Sequence, residues 1–267
     1  MKKIIFIILI VWVSQNIFAE EVKEKSSYWE RMKEKISLEK VKKRVDDKLY
    51  EISQKDGVKD SGSKLFKAMF ISNKSIKIMS DKVIKELDSE HNLSVKGNKY
   101  FIRIKKIEKD LKLPKNIKLD LQVYMDSQVN AFALANGSVR MYSGLMDVMT
   151  DDELIFVLGH ELGHVKLHHG KKQYQLAYGL AGLEDETTEK IGVIGNFIGK
   201  LSSALINAKF SRHEEKDSDE YGVDFLRLNG LTKASAISSL EKLNANSASM
   251  LSSHPSSADR VRELKEL

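Results

Sequence analysis

The chain has 267 residues, 42% of them hydrophobic and 31% charged, and a formal net charge of +6. That length and balance exclude a chain disordered throughout and allow one domain with a sizeable core, alone or with appendages. It contains no cysteine, so disulfides and a lipid-modified N-terminal cysteine are excluded, and stability is left to packing and bound metal.

Met1 to Ala19, MKKIIFIILIVWVSQNIFA, carries two lysines, an apolar run from Ile4 to Val13 and a small residue at a cleavage point. It reads as a secretory signal peptide. An uncleaved membrane anchor is the alternative, and the shortness of the run counts against it. Removing the segment takes away Lys2 and Lys3 and no acid, lowering the net charge from +6 to +4. The expected location is periplasmic or membrane-peripheral, and not that of a lipoprotein.

From Glu20 to Gln54, Trp29, Met32, Ile36, Val41, Val45, Leu49 and Ile52 recur at mostly helical intervals among charges. The pattern predicts a thin amphipathic helix. Glu30, Glu34, Glu39, Asp46 and Asp47 interleave its lysines, which favours a solvated face over a nucleic-acid site, and no nucleic-acid partner is expected. Lys55 to Lys64, KDGVKDSGSK, is a polar linker. The organisation is therefore an export segment (1–19), a charged helical arm with its linker (20–64), and a domain (65–267).

Two helices are expected between Leu65 and Lys112, one carrying Ile71, Ile76, Ile78, Met79, Val83, Ile84 and Leu87, the other Tyr100, Ile102, Ile104, Ile107 and Leu111, with His91 in a solvated turn between them. Leu119 to Tyr124 alternates apolar and polar as a half-buried strand does, Asn136-Gly137 signals a turn, and Ser138-Val139-Arg140-Met141-Tyr142 resumes the alternation. A strand with an open edge just before the next helix holds an extended polypeptide by main-chain hydrogen bonds. Ser138, Val139, Arg140, Met141 and Tyr142 are accordingly expected to align substrate.

That helix is TDDELIFVLGHELGHVKLHHG, Thr150 to Gly170. Thr150 and Glu153 form a capping box, Asp151 and Asp152 suit the positive end of the helix dipole, and Gly170 is the expected terminator. His160 and His164, four residues apart, share one face because four steps overshoot a 3.6-residue turn by only about 40°. Neutral imidazoles are good zinc ligands, and Glu161 sits where it reaches a water at the metal rather than the metal, the place of a general base. Glycines 179, 182, 192, 195 and 199 follow among apolar residues, giving two helices and a mobile turn across 171–206.

Catalytic zinc takes three protein ligands, and the third is sought in Phe210 to Gly222, FSRHEEKDSDEYG, where Ser211 and Glu214 make a second capping box. Glu215 followed by Asp219 gives a ligand and, a turn later, a carboxylate able to orient a liganding histidine; Glu214 is a chemical alternative. Ala234 to Leu243 and Ser256 to Leu267 have helical periodicity and form a C-terminal cap.

NAFALANGSVRMYSGLMDVMTDDEL, HELGHVKLHH, FSRHEEKDSDEYG and SSHPSSADR, in this order, closely resemble the secreted HtpX-like gluzincin zinc metallopeptidases, particularly the bacterial LoiP type, from about Ser72 to Leu267. The resemblance implies one Zn2+ held by His160, His164 and Glu215, with Glu161 as base and Asp219 on the family's following aspartate. His254 with Pro255 falls on a His-Pro segment that approaches the metal, where His254 donates to the transition state, occupies the open metal position or caps the last helix. Arg260 is a second candidate for stabilising the oxyanion. His169 falls on a family histidine after the metal helix, in a hydrogen-bonding or surface role. LoiP-type proteins are typically lipoproteins, from which this chain departs, and residues 20–64 match nothing in the family.

The implied fold is α+β and mostly helical, a zincin-type domain with a small β-sheet beside the HExxH helix. The implied function is a zinc endopeptidase acting on polypeptides, in particular unfolded or misassembled envelope proteins. Envelope assembly proteins or a membrane surface are possible partners. The competing readings are a metal-binding periplasmic chaperone or assembly factor with a closed site, and a surface-binding protein acting through the basic arm.

Overall fold

The computed structural model describes residues 71–267 apart from 116, 172–173, 176–197, 200, 204, 207–208, 247–249, 251–252 and 255–257. The export segment, the 20–64 arm and linker, Pro255 and most of 171–206 lie outside the described residues. Among those residues, no helix is long and apolar enough to cross a membrane.

Helix α1 (Asn73–Glu90) begins where the Ser75 N–H donates to the Ser72 side chain, and it buries Ile76, Met79, Val83, Ile84 and Leu87 on one face. Helix α2 (Lys99–Asp110) begins at Asn98 and buries Ile104 and Ile107. His91 between them is not simply solvated. Its ring stacks on Tyr124, centroids 4.5 Å apart, because Leu93 bridges to Tyr124 and draws the loop onto the sheet.

The sheet has three strands, β1 (Asp120–Tyr124), β2 (Ala131–Ala133) and β3 (Ser138–Tyr142), in the order β1-β3-β2. β3 pairs parallel to β1 along its full length and antiparallel to β2. Gly137 turns the chain at φ +93°, and any side chain there would strike the Lys118 carbonyl oxygen.

This topology corrects two expectations. Ser138, Val139, Arg140, Met141 and Tyr142 cannot align substrate by their main chain, because both edges of β3 are already paired. Nor is β3 half-exposed, since all five residues are buried. Arg140 is tolerated inside because its guanidinium donates to Asp88 and Asp120 at 2.8–2.9 Å, joining α1 to the sheet. The three-residue β2, with two alanines, is too short to declare itself as a strand.

Helix α3 (Ser143–Val148) leads into α4 (Asp151–Lys166), which opens with the Thr150/Glu153 capping box. α4 stops before Gly170. Its Schellman ending puts His168 at φ +61°, with the His168 N–H donating to the Val165 carbonyl and the His169 N–H to that of His164. Helix α5 (Arg212–Leu228) has the Ser211/Glu214 capping box. Helices α6 (Lys233–Asn246) and α7 (Ala258–Glu266) cover the side of α4 and α5 away from the sheet.

The principal packing is α4 against α5. It is close because glycines face it: a Cβ on Gly159 would lie 2.8 Å from the Phe225 Cβ, and one on Gly222 would lie 2.8 Å from Phe156 Cε2 and 3.3 Å from the His160 nitrogen. Leu154, Phe156, Leu158, Leu162, Val223, Phe225 and Leu226 complete this core. Gly222→Ala is therefore expected to destabilise the domain by about 1–3 kcal/mol through overpacking, read as a shift in denaturant midpoint, and an unchanged midpoint would show that the helices separate freely.

Candidate metal centre

His160 and His164 lie on consecutive turns of α4, and the crossing of α4 with α5 sets Glu215 opposite them. All three are buried, Glu215 completely. The Nε2 atoms of His160 and His164 are 3.0 Å apart, and Glu215 oxygens lie 3.4 Å from His164 Nε2 and 3.7 Å from His160 Nε2. Ligand atoms of tetrahedral zinc are separated by about 3.3 Å, given bonds of about 2.0–2.1 Å, so this triangle has the size of a zinc-ligand face. His254, from the segment before α7, adds a fourth donor: its Nδ1 is 3.0 Å from Glu215 Oε1 and 3.3 Å from His160 Nε2. The four side chains form a buried group able to hold a metal ion.

The charges point the same way. Glu161, Glu215 and Asp219 are buried here with one guanidinium, Arg260, leaving two negative charges that a divalent cation balances. Without it, protons compensate. Burial pushes the Glu161 carboxyl above the ordinary range, against the attraction of His254 and His160. Burial disfavours charge on His254 too, yet Glu161 and Glu215 outweigh it and raise its pKa. Glu161 Oε1 has no hydrogen-bond partner, although His254 Nε2 lies 3.5 Å away. Burial lowers the His164 pKa well below its usual value, which keeps the ring neutral as a ligand must be. Glu215 is held well below the carboxylate range because His164 and His254 beside it override its burial.

Around these groups, Asp219 Oδ1 accepts from His160 Nδ1 at 2.9 Å, which fixes the tautomer that presents Nε2. Arg260 donates to both Asp219 oxygens at 2.6–2.7 Å and reaches Glu215 Oε2 at 2.6 Å. Its guanidinium is thus a clamp on two carboxylates, so the expectation that Arg260 faces an oxyanion is set aside. Asp219 stays below its ordinary pKa because Arg260 and His160 outweigh its burial. Glu214 serves the cap, accepting from the Ser211 N–H at 2.7 Å, and His213 is exposed on the surface.

Sequence reasoning missed the Arg260 clamp, and also Phe210, whose ring stacks on His164 at 3.8 Å. It missed that β2 forms the outer edge of the sheet. Asn130/Tyr142 and Leu134/Ser138 are hydrogen-bonded across β2 and β3, so by alternation Ala131 and Ala133 turn their main-chain groups outward, where the Ala131 N–H is held by the Asn130 side-chain oxygen at 3.0 Å. The Ala133 backbone lies beside the Glu161 carboxylate and favours its charged form. A cavity of about 60 Å³ beside this edge is lined by Ile76, Ala133, His164, Tyr174, Leu205 and Phe210.

Residues 102–267 match the family model Peptidase family M48. Metalloprotease LoiP of Escherichia coli (strain K12) is 36% identical over 220 residues, spanning 79% of this chain and 87% of that protein. Metalloprotease YcaL of the same organism is 36% identical over 215 residues, 77% of this chain and 85% of that one. The mitochondrial metalloendopeptidase OMA1 of Bos taurus is 30% identical over 158 residues, 52% of this chain and 30% of its own length.

Arg260→Met removes the buried cation and leaves Asp219 and Glu215 uncompensated. In the metal-free protein this is expected to cost about 3–5 kcal/mol of unfolding free energy, measured by denaturant titration, and a loss under 1 kcal/mol would show that the clamp is not needed.

Proposed function

The chain belongs to peptidase family M48 and is a zinc metallopeptidase of zincin type, and we propose that it is an exported endopeptidase of the bacterial envelope that cuts unfolded or misassembled polypeptides there. The observation that carries the catalytic part is the buried triangle of His160, His164 and Glu215 with Glu161 beside it. Bound there, zinc supplies Lewis acidity toward a peptide carbonyl and lowers the pKa of water. Glu161 takes the proton of the attacking water on its carboxylate and returns it to the departing amine nitrogen. Asp219 and Arg260 hold His160 and Glu215 in place. The outer edge of β2, where Asn130 holds the Ala131 N–H, offers its remaining main-chain groups at Ala131 and Ala133 to an extended substrate, and such pairing selects a locally unfolded chain over a folded one. Residues 1–19, with two lysines and an apolar run, support export.

His254 stands where a fourth ligand would stand, so the arrangement corresponds to a shut resting site into which water and substrate enter once His254 withdraws. The same observation favours, as a second reading, a metal-binding chaperone whose site stays closed.

Cleavage of a reduced, unfolded protein, with zinc content measured in parallel, separates these. Glu161→Gln is expected to retain zinc and lose about 10²–10⁴-fold in turnover. If wild type binds zinc but neither form cuts, the closed-site reading takes over. His254→Ala is expected to weaken zinc binding by about tenfold, or 1.4 kcal/mol, in competition with a chelator; unchanged affinity would remove His254 from the donor set.

A further inference from the structure

The two histidines of α4 are held from behind in different ways. His160 has the anionic carboxylate of Asp219 on its Nδ1. His164 has no carboxylate there: its Nδ1 lies 2.9 Å from Nδ1 of His169, a third imidazole five residues further on. We infer that His169 is a positioning residue for His164, acting as a neutral acceptor that fixes its tautomer and ring plane. This rests on the reading that His164 is a metal ligand.

The proton directions follow from the geometry. His164 Nε2 faces the donor cluster, 3.0 Å from His160 Nε2 and 3.4 Å from Glu215 Oε1, so the proton of a neutral ligand ring sits on Nδ1. That Nδ1–H donates to His169 Nδ1, which leaves the His169 proton on Nε2. The completely buried Ser218, on α5, places its Oγ 3.3 Å from the same His169 nitrogen and holds the second ring in register with both helices. Phe210 covers the face of His164 at 3.8 Å, so ring rotation is checked from two sides.

The backbone supplies an independent argument. For His169 to fold back onto His164 the helix must end between them, and it does so through a left-handed residue, His168, at φ +61°. Among the described residues it alone, other than glycines, has a positive φ. Glycine is the usual occupant of this place, and a non-glycine residue held there marks a conformation the surroundings impose. The turn it makes brings the His169 N–H to the His164 carbonyl at 3.0 Å, so His169 grips His164 by main chain and side chain together.

Zinc affinity by chelator competition tests this on the full chain, with the absorption spectrum of the cobalt-substituted protein as a second readout. His169→Phe keeps a flat ring without an acceptor and is expected to bind zinc about 10–100-fold more weakly and to shift the cobalt bands. His169→Asn offers an oxygen near the place of Nδ1 and is expected to stay within about threefold of wild type, whereas His169→Gln, whose oxygen reaches the place of Nε2, is expected to fail as Phe does. The Asn and Gln pair decides the matter if the Phe variant misfolds. Wild-type affinity in the Phe or Gln variant, or an Asn variant as weak as Gln, overturns the inference while leaving the metal centre intact. A wild-type protein that binds no zinc overturns the reading it rests on.

Discussion

The structure depends on one matched spacing: two histidines four residues apart on α4 and two carboxylates four residues apart on α5, crossed so that His160 meets both Glu215 and Asp219. A pair of residues at that interval occupies one helical face, and two such faces make a four-point contact only if the axes approach closely. Gly159, Gly163 and Gly222 allow that approach, because a Cβ at any of them would press on the opposite helix. The backbone contact and the chemical site are therefore one feature.

Burying that contact is expensive, since three carboxylates leave water together and an unpaired buried charge costs several kcal/mol. Arg260 offsets part of this with a bidentate grip on Asp219 and a third nitrogen on Glu215. The remainder falls to protons or to a divalent ion. The same burial that raises Glu161 and lowers His164 leaves one group able to accept a proton and the other ready to bind metal. Reactivity here comes from what the fold does to ordinary side chains, and the electrostatic cost is the source of metal affinity.

The sheet contributes through its edge. β3 is paired on both sides and serves as a buried spine, stitched to α1 by Arg140. The short β2 is the edge strand of the sheet, and Ala133 brings its backbone beside Glu161. The small side chain of Ala133 lines the cavity beside His164 and Phe210.

What the sequence determined by itself is whatever depends on local repeat. The capping boxes at Thr150 and Ser211, the apolar faces of α1 and α2, the turn at Gly137, and the shared faces of His160 with His164 and of Glu215 with Asp219 all follow from spacing along one element. Resemblance singled out Glu215 from Glu214 where chemistry alone left both open, and the structure places Glu214 in the cap. What only the tertiary structure decided depends on which elements become neighbours. Whether Ser138 to Tyr142 is an edge or a centre is fixed by the short β2, whose three residues carry too little pattern to announce a strand. Arg260 and Phe210 lie 96 and 46 residues beyond His164 in the chain, and nothing in their local sequence says that one clamps two carboxylates and the other covers an imidazole. Helix periodicity places a side chain on a face; only packing decides what that face meets.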